Sequence, residues 1–237
     1  MSYVVAGAVF LLSLVVGTGS YLFIPRLKAK AIEVNDGASA AEAAVPATTL
    51  AGFFTRDNVK QWVPVVCLSV LCAVLAFLSY NACSDTLKLI RQMAVLLMLA
   101  AALIIDSKTH LIPNALVLGV LGVGVLLLPF EFIFARESFV STLVMNLVGL
   151  LGCTALFYVL SRLTKGGIGM GDVKLIAVMG FMIGLMSTLT SILLSLIICT
   201  VISIFLLLMK RKNKNDKIPF GPFVFFGYAV ALLLFGL

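Results

Sequence analysis

Charge is what this sequence has least of. Asp, Glu, Lys and Arg together make up 11% of 237 residues, and histidine and tryptophan occur once each. With 62% hydrophobic residues and a mean hydropathy of +1.19, there is too little polar side chain to cover a water-soluble core, which excludes an ordinary soluble domain. Paired cysteines are also missing. The five cysteines, at 67, 72, 83, 153 and 199, lie in or beside apolar runs and none belongs to a C-x-x-C pair, so they read as packing residues. Neither a structural zinc site nor a secreted disulfide framework is expected, and no metal is assigned.

What the chain has instead is long apolar runs. About 20 apolar residues cross a bilayer core of roughly 30 Å. Runs of that kind, bounded by charge, fall near 3–24, 62–83, 92–106, 112–130, 139–160, 173–186, 187–209 and 219–237. The expectation is an all-α, polytopic transmembrane bundle of eight spans. Seven is the competing count, because Gly184 to Thr190 offers no charge to mark a turn between the sixth and seventh runs.

No base precedes the first run, whereas Arg26, Lys28 and Lys30 follow it, the reverse of a cleavable signal peptide. It reads as a retained helix, residues 1–24, with its N-terminus outside. Segments 25–61, 107–111, 161–174 and 210–218 then face the cytoplasm with 5, 1, 3 and 5 bases, 14 of the 17 in the chain. Only Lys88, Arg91 and Arg136 are left for the opposite loops, so the positive-inside rule places both termini outside the cytoplasm. The net charge of +7 follows from that asymmetry and suits contact with anionic lipid of the cytoplasmic membrane, not nucleic acid.

Between the first run and a membrane core at 62–237, the polar segment 25–61 reads as a cytoplasmic loop with a flexible, Ala-rich middle; Phe53, Phe54 and Trp62 near Arg56 and Lys60 suit the headgroup level. Gly119, Gly122, Gly124, Gly149 and Gly152 are expected to let helices approach closely, and the mid-span Asn146 to make an interhelical hydrogen bond.

Two acids stand apart. Asp106 ends the apolar run QMAVLLMLAAALIID. A carboxylate at a helix C-terminus is opposed by the helix dipole, so capping does not account for it. Asp172 lies in KGGIGMGDVKL, where Gly166, Gly167, Gly169 and Gly171 lead to the acid. Glycine supplies positive-φ backbone and allows close approach of another chain, both useful where a peptide must reach a carboxylate. The segment lacks the Lys-Ser/Thr of a phosphate-binding loop and follows no strand, which argues against nucleotide binding. In the charge-derived topology both acids lie at the cytoplasmic ends of separate helices. Two carboxylates brought together in a partly dry site share a proton, so one acts as base toward water and the other as acid toward a scissile carbonyl. His110 reads as an interfacial loop residue.

These segments resemble the type IV prepilin peptidases, the intramembrane GxGD aspartyl proteases. Gly169-Met170-Gly171-Asp172, continued by Val173, Lys174 and Leu175, is similar to the second active-site motif of that family. Asp106 followed by Ile112, Pro113 and Asn114 is similar to the first. IPFGPFVFFGY at 218–228 resembles the C-terminal cytoplasm-to-membrane boundary, and VGTGSYLFIPRL at 16–27 the first helix and its basic exit. The resemblance implies cleavage of a short basic leader from prepilin, pseudopilin or competence precursors at the cytoplasmic membrane face, with Asp106 and Asp172 as the catalytic pair and no cofactor.

Two departures accompany it. The larger members of the family carry two C-x-x-C pairs in the loop after the first helix and also methylate the new N-terminus with S-adenosylmethionine; here 25–61 contains no cysteine, which argues against that second activity. Lys108 stands where many members have an acid. From another class, a transporter using the two acids for a cation or protons is disfavoured, because both acids lie near one face and the spans show no internal repeat. A catalytically silent assembly factor is the third reading, against which the intact motifs argue.

Overall fold

The computed structural model describes residues 4–20, 59–82, 85–109, 112–134, 136–164, 168–209 and 220–236. The expectations for the loop at 25–61, for His110 and for the basic segment at 210–218 fall essentially outside these residues. All the regular structure among them is helical: α1 (Val4–Ser20), α2 (Val59–Ala82), α3 (Thr86–Thr109), α4 (Asn114–Phe134), α5 (Arg136–Leu163), α6 (Met170–Ile183), α7 (Leu185–Leu208) and α8 (Gly221–Phe235). Each apolar run of the sequence therefore corresponds to one helix. Four of the eight contain stretches long and apolar enough to cross a membrane: Thr86–Thr109, Asn114–Phe134, Phe139–Leu163 and Leu185–Phe205.

The division between the sixth and seventh runs, unmarked by charge, is made by backbone. Gly184 has φ 80°, a conformation that a side chain disfavours, and its N–H donates to Gly180 O at 3.0 Å, closing α6 and starting α7 in a new direction. In the apolar interior, hydroxyls turn back on their own helices. Ser69 donates to Val65 O and Ser79 to Leu75 O, both at 2.8 Å, and Ser195 to Ser191 O at 2.6 Å, so none is left unpaired.

Packing ranks the helices unequally. Along α3, 83% of the apolar window is buried, against 17–22% along α4, α5 and α7. Helix α3 is the axis of the bundle, contacted by α2, α4, α6 and α8, and Tyr228 of α8 donates to Gln92 O of α3 at 3.1 Å. The tightest pairing, α5 with α6, is a meeting of glycines: a methyl group on Gly149 or Gly180 would run into the other's backbone. Gly124 likewise faces Met182 and Phe181, and Gly152 faces Leu185, as expected of small residues at helix contacts. Gly119 and Gly122 differ from expectation, having nothing within 4 Å of where a Cβ would lie. Arg91 also differs. It was assigned to an outer loop because it is charged, yet it is 4% exposed within α3, its charge matched by the buried Glu131 of α4.

Candidate active site

At one end of the bundle, α3 finishes while α6 and α8 begin, and the two aspartates meet this junction from opposite helix polarities. Asp106 is in the last turn of α3 and only 6% exposed. The negative end of its own helix dipole opposes a carboxylate there. Helix α8 supplies the compensation. In its first turn Pro222 has no N–H, and the N–H groups of Phe223 and Val224 donate to Phe220 O, so Gly221 presents a free backbone donor at the positive end of the helix. Gly221 N–H donates to Asp106 Oδ2 at 2.7 Å. A Cβ on Gly221 would stand 3.0 Å from both Cβ and Oδ2 of Asp106 and 3.3 Å from Ala102 O, so only glycine allows this approach without displacing the acid.

Asp172 is three residues past the Gly169 N-cap of α6 and partly buried. From that position its carboxylate folds back onto the Gly169 N–H, half of a capping box. A Cβ on Gly169 would lie 3.2 Å from Asp172 Oδ2, and one on Gly171 3.2 Å from Ile112 Cβ. The glycines of this motif therefore serve close approach. Gly166 and Gly167 lie outside the described residues; of the other two, Gly169 is extended at φ −65°, and the positive-φ glycines among the described residues are Gly184 and Gly236, so Gly169 and Gly171 do not use positive φ. Ser161 of α5 donates to Ile168 O at 2.9 Å and holds the entry to the turn.

The segments singled out in the sequence thus dock on one another. Ile112 covers Gly171, Lys174 Nζ donates to Asn114 Oδ1 at 3.0 Å, and the charge of Asp106 reaches Asp172. Burial first, and the Asp106 charge second, push the Asp172 carboxyl from its ordinary 3.8 up to about 6, against the opposing hydrogen bond from Gly169. The result is a carboxylic acid that holds its proton well above the usual range, within reach of the charge of a second carboxyl group that accepts a helix N-terminal N–H. This is the asymmetry that acid-base chemistry by two carboxyl groups requires.

Gly221 was not legible as part of the site. Its signal was the Gly-Pro step opening the last apolar run, a helix-start mark that does not say which side chain the free N–H will meet. Among the described residues, no group of three or more His, Cys, Asp or Glu side chains is placed to hold a metal. Lys108, which the resemblance singled out as a departure, is exposed at the end of α3.

Residues 93–204 match the Type IV leader peptidase family. Over 136 residues the chain is 34% identical to a prepilin leader peptidase/N-methyltransferase of Stutzerimonas stutzeri, covering 57% of this chain and 46% of the relative. A protein of the same name from Bacillus subtilis (strain 168) is 30% identical over 151 residues, 62% of this chain and 57% of the relative. One from Pseudomonas putida is 28% identical over 182 residues, 75% and 60% of the two chains. The matches span about half the length of these curated relatives. No solved structure matches. Asp106, Asp172 and the glycines of the second motif all lie inside the segment that matches the Type IV leader peptidase family.

Proposed function

We propose that this protein is an integral membrane aspartic endopeptidase that removes the basic leader from prepilin or pseudopilin precursors at the cytoplasmic face of the membrane. The observation that carries this reading is the junction of α3, α6 and α8, where Asp106 accepts the Gly221 N–H and its charge helps Asp172 to keep a proton. In the proposed cycle Asp106, ionised, takes a proton from water as the water attacks the scissile carbonyl carbon. Asp172, protonated, hydrogen-bonds the carbonyl oxygen and gives it the proton, forming a neutral tetrahedral diol. As the carbon-nitrogen bond breaks, Asp106 protonates the leaving amine and Asp172 recovers its proton. No nucleophilic side chain and no cofactor takes part.

The 14 bases assigned to four segments on one side support the cytoplasmic location of this end, with eight membrane-embedded helices and both termini on the far side. The second reading, a peptidase that also methylates the new N-terminus, is favoured by the double name of the relatives and disfavoured by the lack of cysteine in 25–61. S-adenosylmethionine would be a cofactor only in that case.

The test is cleavage of a purified prepilin precursor by the detergent-solubilised protein and by Asp106→Asn and Asp172→Asn. Each amide is nearly isosteric with the acid but cannot cycle a proton, so each variant should lose at least about 10² in rate. Asp85→Asn, at the other end of α3, is the control. A central variant that cleaves at more than roughly a tenth of the wild-type rate overturns the pair; loss of ion flux with intact cleavage would point to transport.

A further inference from the structure

The end of the bundle away from the aspartates is held by charge buried in an apolar setting. Arg91 lies in α3 about four turns before Asp106, roughly 22 Å along the helix. It reaches two other helices. Its Nη2 donates to Glu131 Oε2 of α4 at 2.8 Å, while its Nε lies 2.7 Å from Glu131 Oε1, a charge contact off the line of the N–H. Its Nη1 faces Phe181 O at 3.3 Å and Met182 O at 3.4 Å. Those carbonyls belong to the last turn of α6, where the helix has no N–H of its own to satisfy them and its dipole favours a cation. Arg91 is therefore the C-terminal cap of the helix that carries Asp172 at its other end.

Helix α6 needs such a fixture. It has 14 residues; its backbone approaches α5 closely at Gly149–Gly180, its apolar side chains such as Val173, Ile176 and Met179 pack laterally, and Arg91 adds a directional polar contact at its end. A cavity of about 700 Å³, lined among others by Lys88, Arg91, Glu131 and Met182, adjoins the α6 end and leaves room for displacement. A buried ion pair is a weak source of net stability, because desolvation offsets its attraction, and well-packed apolar replacements are often neutral or better.

We propose that Arg91, neutralised by Glu131, is a positioning residue that fixes the axial register of α6 on α3 and so keeps Asp172 level with Asp106. The proposal rests on the peptidase reading for its rate prediction but not for its second readout. Removing both partners in Arg91→Met/Glu131→Leu leaves no orphaned charge, so the protein should melt in detergent within a few degrees of wild type. Loss of register should lower kcat by about 10- to 100-fold with KM within about threefold, since misplacement by about 1 Å has effects of that order. Glu131→Gln should do the converse. It strands the guanidinium charge and lowers the melting temperature, but keeps the contact to Phe181 and Met182 and so keeps kcat within about threefold.

The second readout needs no substrate. Burial raises Asp172 and the Asp106 charge adds to it, so stability of the folded protein falls as pH rises from about 4 to 6, and the part of this fall that Asp106 supplies should be lost in the double variant as the acids separate. The other charged groups near that end among the described residues, Lys108 of α3, Arg162 of α5 and Lys174 of α6, are unchanged by it. Wild-type kcat and an unchanged pH dependence in the double variant would overturn the proposal. Equal losses of kcat and melting temperature in both variants would also overturn it, by reducing Arg91 to a structural part. If wild type cleaves no precursor, the peptidase reading fails, and the pH dependence alone decides for or against Arg91.

Discussion

Replacing Asp172 by Asn should make the folded protein more stable at neutral pH while removing its proposed activity. The carboxyl is raised from 3.8 to about 6 by burial and by Asp106, so between those values the folded protein holds a proton that the unfolded chain has lost. Stability therefore declines as pH rises through that window and is flat above it. At 1.36 kcal/mol per pKa unit the full shift corresponds to about 3 kcal/mol. Asp172 is partly exposed, and solvent screening reduces this to roughly 1 to 2 kcal/mol. An Asn side chain keeps an oxygen for the Gly169 N–H and never ionises, so it escapes the decline. Thermal unfolding of wild type and Asp172→Asn in the same detergent, from pH 3.5 to 8, is the assay. The variant's advantage should be absent near pH 3.5, grow between 4 and 6, and stay constant above. An advantage independent of pH, or a deficit at pH 7, would show that Asp172 is not held protonated by its surroundings, and the division of acid and base would lose its physical basis.

Gly221→Ala places a methyl group 3.0 Å from Asp106 and should cut the rate of cleavage at least about tenfold with the helices intact, measured by precursor cleavage and circular dichroism. Gly180→Val meets the Gly149 backbone and should destabilise by about 1 to 3 kcal/mol or more, whereas Gly119→Ala has open space and should be neutral or stabilising by up to about 1 kcal/mol, both read from thermal unfolding. Incubation with cleaved substrate and labelled S-adenosylmethionine should transfer no label; stoichiometric transfer would establish the bifunctional reading. A cysteine introduced at Ser39 should react with an impermeant reagent only from the cytoplasmic side, and reaction from the outside would invert the topology.

The sequence by itself determined the helices and singled out the two acids as candidates. Apolar runs of membrane length bounded by charge can hardly be anything but helix, because lipid offers the backbone no other partner. An aspartate at the end of such a run is conspicuous against so uniform a background, and the glycines before Asp172 mark a place of close approach. Tertiary structure decided which helix is central. Helix α3 is similar in apolarity to α4, α5 and α7 but far more buried, and lipid-facing and protein-facing surfaces are both apolar, so hydropathy cannot separate them. It also decided the partners. The Gly221 N–H on Asp106 and the Arg91–Glu131 pair join residues 115 and 40 positions apart, and read in isolation Arg91 is simply a charge that belongs in a loop. A charge enters an apolar interior only when a countercharge and hydrogen-bond acceptors meet it there, and that meeting exists only once α3, α4 and α6 are packed together.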